Sequence, residues 1–517
     1  MGLYLGLDCS TQSLKATVID TDSGSVVHSS DINFGRDLPE YRCPGGFLES
    51  SDPLHVLTPP LLWAAALDMI LGKLQNANIP VEKICGISGS GQQHGSVYLN
   101  AEFEQTLSGL DRNCTLEEQL KDCFSRETSP VWMDRSTSAE CAELYSRFGN
   151  EISERTGSPP IERFTGPQIR KFYKEFPQKY AETLIIHLVS SFMCSLLIGH
   201  SAPIDFGDGA GMNLLDMQHG DWIPEIAEYT APGLIKKLPP AVPSTRIAGK
   251  LAPYFEKYGL PAGIPVNVWS GDNPSSLIGC GAFNPGTAVI SLGTSDTIFA
   301  AMSDYKTDPE GCGHVFGNPA GGFMSLSCFT NGSLAREKIK DRCQLSWDEF
   351  DKVVLQQTRP GNNNNMLLPH FVPESTPLRL SAQVKYQGSE AFCNGQGEKA
   401  ELARAILESQ VYSFKIHSEW LGRFDRIRIT GGASDSAALT QIIADVFQCP
   451  VEKFAVSNSA GLGAAMRAAQ ACSEISFVEL SNLFTAATKI EQPNAETKDI
   501  YADAVETYRN FEQSVTG

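Results

Sequence analysis

LYLGLDCSTQSLKATVI, residues 3–19, places a polar loop between two apolar segments that have the pattern of β-strands. The strands are predicted at Leu3–Leu7 and Leu14–Ile19, and Asp8–Gln12 forms the loop between them. The polar stretch Thr21–Gly24 ends the second strand with a turn. The sequence therefore begins with a strand–loop–strand unit whose loop is rich in carboxylate, hydroxyl and amide groups.

The same layout returns past the middle of the chain, where residues 287–300 read TAVISLGTSDTIFA. Here Thr287–Leu292 and Thr297–Ala301 are the predicted strands, and Gly293–Asp296 is the loop. A repeat separated by more than half the chain favours two similar α/β domains, because each unit would start its own core. We place the boundary between Ser275 and Pro285, which predicts domains at residues 1–278 and 279–517.

Strands and helices are expected to alternate along the rest of the chain, which indicates mixed sheets covered by helices. The segments 362–365 and 394–397 are expected to be mobile loops without a place in a core. The remaining predicted elements are a helix over 58–75, a strand over 84–88, a buried helix over 184–198, a helix over 399–421, a strand over 426–430, a helix over 437–447, a strand over 451–456 and a small-residue helix over 459–471.

Composition and net charge argue against several classes of protein. The 517 residues are 42% hydrophobic, and 60 acidic residues against 41 basic ones give a formal charge of -19. This charge would repel nucleic acid and anionic lipid surfaces, so neither is an expected partner. The first residues resemble no secretory signal, the 14 cysteines form no Cys-x-x-Cys pair, and we expect a cytoplasmic protein with reduced thiols.

Two familiar nucleotide-binding motifs are excluded. No Gly-x-x-x-x-Gly-Lys-Ser/Thr occurs, so the chain has no P-loop. Gly89–Gly95 follows a strand, but its third glycine is one place late and Gln92, Gln93 and His94 replace the start of a helix. The segment is better explained as a polar loop at the end of a strand, where His94 offers hydrogen bonds to ligand hydroxyls, although a single histidine is more often structural.

The two polar loops of the repeat are the first candidate site. Asp8 could hold Mg²⁺, and the hydroxyl and N–H groups of the loop could bind anionic oxygens, with Lys15 adding positive charge. The alternative is an ordinary hairpin with an Asx turn. The presence of a second such loop, Gly293–Ser295, favours a ligand-binding role over an ordinary hairpin. Two such loops on duplicated domains could hold a polyphosphate between them.

Two further candidate segments come directly after predicted strands. Asp272, in Ser270–Pro274, would face the cleft beside the domain boundary and suits a base for phosphoryl transfer to an alcohol, although Gly-Asp-Asn-Pro is also a common turn. The segment 431–436 leaves free N–H groups and room for a flat ring, or else is a plain tight junction between strand and helix.

Together these segments resemble the FGGY family of carbohydrate kinases over nearly the whole chain, and within it the eukaryotic-type xylulokinase subgroup. The segments that carry the resemblance are 7–12, 91–95, 162–166, 271–274, 291–297 and 430–434. The resemblance implies an α/β fold of two duplicated actin-like ATPase (ribonuclease H-like) domains, with sugar in the first, ATP in the second and a cleft between them. It also implies transfer of phosphate from ATP to C5 of D-xylulose.

The resemblance implies a role for each matching residue. Asp272 would be the general base, and Asp8 would help to hold Mg²⁺ near the phosphates. The sugar would be bound by His94, Arg163, Asp272 and Asn273. The nucleotide would be bound by Ser10, Thr11, Gln12 and Lys15 on the first side and by Gly293, Thr294, Ser295, Trp347, Gly431, Gly432, Ala433 and Ser436 on the second.

The chain departs from the family pattern at two positions. Ser436 stands where many members have asparagine, which puts one adenosine contact in question, and Ser10 replaces a glycine common in the wider superfamily. Three other functions remain open: kinase of another sugar or polyol, such as 1-deoxy-D-xylulose, ribulose, gluconate or glycerol; an actin-like ATPase without sugar; and an inactive sugar sensor. The expected partners are the sugar and ATP, and the expected assembly is a monomer or a homodimer.

Overall fold

The structure is a computed structural model that describes residues 2–456 and 458–515. Its first half is built on a seven-stranded sheet with the path β13-β14-β5-β1-β2-β3, and β15 also pairs with β5. The strands of this half are β1 (Leu3–Cys9), β2 (Ser13–Asp20), β3 (Ser25–Asn33), β4 (Leu57–Thr58), β5 (Ile84–Gly91), β6 (Ser96–Leu99), β7 (Ser129–Pro130), β8 (Ile185–Leu188), β9 (Ile204–Asp205), β10 (Leu215–Asp216), β11 (Asp221–Trp222), β12 (Ala241–Val242), β13 (Ile247–Lys250), β14 (Pro265–Asn267) and β15 (Ser270–Gly271).

Helices cover this sheet on both faces. Leu5 and Leu7 pack in one core with Leu62 and Trp63 of α2, whereas Tyr4 faces a second core on the opposite side of β1. The helices of the first half are α1 (Phe34–Asp37), α2 (Pro60–Gln75), α3 (Glu102–Ser108), α4 (Leu116–Leu120), α5 (Ser138–Phe148), α6 (Asn150–Thr156), α7 (Thr165–Glu175), α8 (Pro177–Glu182), α9 (Val189–Ile198), α10 (Phe206–Gly209), α11 (Pro224–Thr230) and α12 (Asp272–Gly279).

The second half repeats the plan with a seven-stranded sheet in the order β18-β19-β17-β16-β22-β23-β24. Its elements are β16 (Thr287–Leu292), β17 (Asp296–Met302), β18 (His314–Gly317), β19 (Phe323–Phe329), α13 (Ser333–Cys343), α14 (Trp347–Gln357), β20 (Met366–His370), β21 (Gln383–Gln387), α15 (Glu390–Cys393), α16 (Lys399–His417), β22 (Arg426–Thr430), α17 (Ala437–Phe447), β23 (Val451–Phe454), α18 (Ser459–Cys472), α19 (Phe477–Phe484), β24 (Ala487–Glu491) and α20 (Lys498–Ser514).

The two sheets share one pairing pattern. In the first, β1 runs antiparallel to β2 and parallel to β5. In the second, β16 runs antiparallel to β17 and parallel to β22. The strand–loop–strand units found in the sequence are therefore the centres of two duplicated α/β domains, as the repeat predicts.

Helix α18 crosses from the second half onto the first sheet. A Cβ on Gly6 of β1 would lie 2.2 Å from the carbonyl oxygen of Gly461, and one on Gly463 would lie 1.8 Å from that of Ser275 in α12. Glycine is needed at these positions because the backbones touch. The small-residue helix expected at 459–471 is thus confirmed as a close-packing element, and it lies between the domains.

Two predictions about local structure are wrong. The apolar run 184–198 is not one helix, because Ile185–Leu188 is a strand that pairs with β6 before α9 begins. Asn362 and Asn365 are buried rather than mobile, and Asn362 Nδ2 donates to the carbonyl oxygens of Asn365 and Glu401. Among the described residues no helix is long and apolar enough to cross a membrane. All fourteen cysteines are free thiols.

Candidate active site

Asp272 lies where strand β15 ends and helix α12 begins. Its Oδ1 accepts hydrogen bonds from the backbone N–H of Asn273 (2.8 Å) and from Asn273 Nδ2 (3.1 Å). Asn273 Nδ2 also donates to Gln93 Oε1 at 2.8 Å. The loop after β5 and the start of α12 are therefore joined side by side.

The carboxyl of Asp272 has an unusual acidity. Its pKa is raised to about 7, chiefly because the group is withdrawn from water and secondly because the negative charge of Asp8 is near. Hydrogen bonds from backbone N–H groups oppose the shift but do not cancel it. A carboxyl with a pKa near neutral is suited to accept a proton from an alcohol.

Asp8 lies near the end of β1 and is 3% exposed. Ser90 Oγ donates to its Oδ1 at 2.8 Å, and Lys15 is its cross-strand neighbour on β2. Burial raises the pKa of Asp8, while the Ser90 hydrogen bond and the charge of Lys15 lower it. Within the described residues no ion pair neutralises this carboxylate, so it remains available for a ligand.

The donor set near Asp8 is compatible with Mg²⁺. This ion prefers oxygen ligands and is usually bound by one or two carboxylates together with phosphate oxygens and water. The described part of the chain contains no cluster of three or more His, Cys, Asp or Glu side chains that could bind a metal by itself. Asp8 thus fits a site that phosphate and water complete.

The first polar loop, Ser10–Gln12, is a tight turn between β1 and β2. Both the backbone N–H and the hydroxyl of Ser10 donate to the carbonyl oxygen of Ser13, each at 3.0 Å. Trp132 Nε1 donates to Thr11 Oγ1 at 2.8 Å, whereas Gln12 is exposed. Hydrogen bonds therefore hold Ser10 and Thr11 in place, while Gln12 is exposed.

The second polar loop, Gly293–Ser295, occupies the same position between β16 and β17. The N–H of Gly293 donates to Asp296 Oδ1 (3.1 Å), and the carbonyl oxygen of Gly293 accepts from the N–H of Ser333 (2.9 Å). Thr294 is exposed. Both ends of Gly293 are therefore fixed, and the tip of the loop is free for a ligand.

His94 is buried with its backbone in the left-handed region, at φ 71°. Its Nδ1 donates to the carbonyl oxygen of Gly211 (3.2 Å), and its ring stacks on Phe164 at a centroid distance of 4.5 Å. Burial, followed by the charge of Arg163, lowers the pKa of His94 well below its usual value. The imidazole is neutral, and Nε2 is left as a hydrogen-bond acceptor.

Arg163 opens into a cavity of about 500 Å³ between the two halves of the chain. The first half contributes Arg135 and Arg163 to its wall, and the second contributes His314 and Cys328. Arg163 Nη2 lies 3.4 Å from His314 Nε2. A cavity between the two halves is thus present, and of the four predicted sugar-binding residues only Arg163 lines it.

Four of the five residues predicted to contact the nucleoside, all but Gly431, line a separate cavity of about 420 Å³ in the second half. Trp347, Gly432, Ala433 and Ser436 all line it. Ser436 caps α17 by accepting from the N–H of Leu439, and its hydroxyl donates to Asp351 Oδ1 at 2.6 Å. Its hydroxyl therefore stabilises the pocket wall.

Sequence reasoning missed a fully buried carboxyl, Asp208. Ser190 Oγ donates to its Oδ2, and Oδ1 has no partner among the described residues. Burial raises its pKa well above the usual value, and Asp205 and Asp272 add to the shift. The side chain of Gln92 and Nε2 of Gln93 are also unpaired there. The unused hydrogen-bonding groups near Asp272 indicate a site for a polar ligand or water.

Comparison with known proteins agrees with this geometry. Residues 3–279 match the N-terminal domain model of the FGGY family of carbohydrate kinases, and residues 288–472 match its C-terminal domain model. The domain boundary at residues 278 and 279 stays a prediction.

Individual relatives match over nearly the whole chain. "Xylulose kinase 2" of Arabidopsis thaliana is 39% identical, over 97% of this chain and 93% of that protein. "Xylulose kinase" of Mus musculus is 38% identical, over 99% and 94%. The solved structure of xylulose kinase from Rhodospirillum rubrum superposes with a TM-score of 0.84 at 19% identity and covers 99% of each chain, which shows a shared fold.

Proposed function

Because the chain belongs to the FGGY family of carbohydrate kinases, we propose that it transfers the γ-phosphoryl group of ATP to D-xylulose, giving D-xylulose 5-phosphate and ADP. Membership confirms the ATP-dependent sugar kinase class and the two duplicated actin-like ATPase domains. One structural observation carries the chemistry: Asp272 lies at the start of α12, where it accepts a hydrogen bond from Asn273 and has no cationic partner among the described residues, and burial raises its pKa to about 7.

In the proposed reaction Asp272 accepts the proton of the C5 hydroxyl while the hydroxyl oxygen attacks the γ-phosphorus. The new O–P bond forms as the bond from the γ-phosphorus to the bridging oxygen of ADP breaks, and ADP leaves with that electron pair. The proton passes from Asp272 to solvent after the products depart. Positioning and charge stabilisation account for most of the rate in such transfers, so one well-placed base is sufficient.

The sugar would be oriented by His94, Arg163 and Asn273. His94 Nε2 would accept from a sugar hydroxyl, Arg163 would donate to a sugar oxygen, and Asn273 Oδ1 would accept from a second sugar hydroxyl. Hydrogen bonds from Asn273 Nδ2 to Gln93 and Asp272 fix the amide of Asn273, which determines where its Oδ1 points. These contacts favour a polyhydroxylated substrate over a simple alcohol.

The nucleotide would lie along the second half. Its phosphates would meet the two polar loops, with Ser10, Thr11, Gln12 and Lys15 on one side and Gly293, Thr294 and Ser295 on the other. Trp347 and residues 431–433 would enclose the adenosine, and Ser436 would shape that pocket. Mg²⁺ held by Asp8 would neutralise phosphate charge. Closure of the cleft would exclude water and so prevent hydrolysis of ATP.

The test is ADP formation with Mg²⁺, with and without D-xylulose, compared with 1-deoxy-D-xylulose, ribulose, gluconate and glycerol. We expect the largest kcat/KM with D-xylulose and little turnover without sugar. Highest activity with another polyol would change the substrate but not the family. Rapid turnover without any sugar would instead make the protein an actin-like ATPase. The cytoplasmic location and the choice between monomer and homodimer remain predictions, which fractionation and sizing would test.

A further inference from the structure

A buried ion pair lies behind the second polar loop. Asp296 is the first residue of β17 and its side chain is fully buried, while the side chain of Arg336 on α13 is 2% exposed. Arg336 Nη1 donates to Asp296 Oδ2 at 2.7 Å, and Nη2 donates to Oδ1 at 2.9 Å. The paired, planar geometry fixes both side chains in orientation as well as in distance.

This pair is bonded directly to the loop. Asp296 Oδ1 also accepts from the N–H of Gly293 (3.1 Å), and Arg336 Nη2 donates to Ser333 Oγ (3.0 Å). The N–H of Ser333 in turn donates to the carbonyl oxygen of Gly293 (2.9 Å). Both backbone groups of the first loop residue are therefore held by the ion pair or by its neighbour.

Gln410 of helix α16 extends the network to the turn behind the loop. Its Oε1 accepts from Arg336 Nη1 (2.9 Å), and its Nε2 donates to the carbonyl oxygens of Asn331 (2.6 Å) and Gly332 (3.1 Å). A Cβ on Gly332 would lie 2.8 Å from the carbonyl oxygen of Thr294 and from the N–H of Asp296. The turn supports the loop by direct backbone contact.

A second buried pair in the same domain provides a comparison. Arg404 Nη1 donates to Glu408 Oε1 at 2.7 Å, and the side chains are 6% and 2% exposed. Its further partners are Thr358 and Tyr501, so it joins α16 to neighbouring helical segments. It is as buried and as well bonded as the Asp296–Arg336 pair, but it makes no contact with the polar loop.

We propose that Asp296, Arg336 and Gln410 are positioning residues for the phosphates of ATP. They hold Gly293–Ser295 in its binding conformation before the nucleotide arrives, so the loop loses little conformational freedom on binding. The network determines affinity for the triphosphate and leaves the base step at Asp272 unchanged. This inference rests on the proposed function only in taking ATP as the ligand of the loop.

The test compares Asp296→Asn with Glu408→Gln. Each substitution leaves one buried arginine without its carboxylate, so both should lower the melting temperature by a similar amount. Only Asp296→Asn should weaken binding of a non-hydrolysable ATP analogue, by about tenfold or more, because only that variant frees the loop. Binding of adenosine, which has no phosphates, should stay within about twofold in both variants.

Steady-state kinetics add a second readout. Asp296→Asn should raise KM for ATP and leave kcat at saturating ATP within about twofold. If Asp296→Asn does not fold, Gln410→Leu serves in its place, because it removes the support of the turn without leaving an unpaired charge. Equal affinity of the two variants for the ATP analogue, or an equal loss of adenosine binding, would overturn the proposal.

The titrations contain no sugar, so they separate this inference from the choice of substrate. If D-xylulose is not phosphorylated but the ATP analogue binds and Asp296→Asn weakens it, the inference stands and the proposed substrate is wrong. If the wild-type chain binds no ATP analogue, both are wrong.

Discussion

The two strand–loop–strand units have the same backbone plan but use their carboxylates in opposite ways. In the first unit Asp8 precedes the loop, and among the described residues its carboxylate has only the Ser90 hydroxyl as a hydrogen-bonding partner. In the second unit Asp296 follows the loop and is neutralised by Arg336. One acid is left with charge available for a ligand, and the other holds the loop in shape.

Asp272 belongs with Asp8 in this comparison. Its carboxyl accepts only hydrogen bonds from N–H groups, and its pKa is raised because burial and the charge of Asp8 disfavour ionisation. A buried carboxylate without a cationic partner lowers the stability of the fold. A carboxylate paired with an arginine, by contrast, does not leave its charge free for chemistry. We therefore expect substitutions of Asp8 and Asp272 to remove activity, and substitutions around Asp296 to weaken nucleotide binding.

The largest effect is expected for Asp272→Ala. Loss of the base should lower kcat by about 10³-fold, within the usual range for general base catalysis, while sugar binding stays measurable by calorimetry. Asp68→Asn is the control, because Asp68 is a buried carboxylate bonded to Tyr254 and Tyr258 away from the cleft. An unchanged kcat in Asp272→Ala would refute the assignment of the base.

Asp8→Asn should have the next largest effect. Removing the carboxylate that fits Mg²⁺ should lower kcat/KM for ATP by about 10²-fold, because phosphate charge would be less well neutralised. Raising the Mg²⁺ concentration should restore part of the loss. Asp20→Asn, at the far end of β2, should leave the rate unchanged. An Asp8→Asn enzyme with normal Mg²⁺ dependence would show that this acid has no part in metal binding.

The pH dependence should reveal the raised pKa of Asp272. The carboxyl must be ionised to accept a proton, so kcat/KM for the sugar should rise with pH and level off above about pH 7. Below that point the rate should fall about tenfold per pH unit. The profile is measured between pH 5.5 and 8.5 at saturating Mg²⁺ and ATP. A flat profile, or one that falls with rising pH, would argue against Asp272 as the base.

Gly332→Ala should give a smaller change, confined to the second unit. The added methyl group would press on the backbone of Thr294 and Asp296, so KM for ATP should rise about threefold to tenfold. Gly72→Ala on α2 is the matched control, since a Cβ there would make only an ordinary contact, 3.7 Å from Tyr258, and should leave KM for ATP unchanged. Unaltered KM for ATP in Gly332→Ala would show that the loop does not depend on the turn behind it.

Much of the fold follows from local patterns. The strands at Thr287–Leu292 and Arg426–Thr430 and the helix at Ala437–Phe447 have the bounds that the sequence predicts, because turn residues or changes of periodicity mark their ends. The run 184–198 offers no such mark: it contains no glycine or proline, its few polar residues are scattered along it, and the pairing of β8 with β6 decides where the strand ends. Asn362 is buried because a distant backbone carbonyl, that of Glu401, accepts its hydrogen bond.

The residues of the candidate site also differ in how well the sequence alone predicts them. The positions of Asp8, Asp272 and the two loops at strand ends were predictable because each belongs to a recognisable local motif, and their roles stay predictions. The partners of Asp296 were not, because Arg336 and Gln410 lie on helices whose packing brings them together. Asp208 was missed for the same reason: its partner Ser190 lies on another helix, and nothing local marks the carboxyl as buried.

The most direct test of the comparison is the free energy of unfolding of Asp272→Asn relative to wild type at pH 8 and pH 5. The pKa of Asp272 is raised from 3.8 to about 7 in the folded state, so its ionisation destabilises the fold increasingly as pH rises from about 4, and fully above about 7. We predict that the variant is more stable than wild type by roughly 2–4 kcal/mol at pH 8, and by less at pH 5. A variant less stable than wild type at pH 8 would contradict the account, because Asp272 would then support the fold.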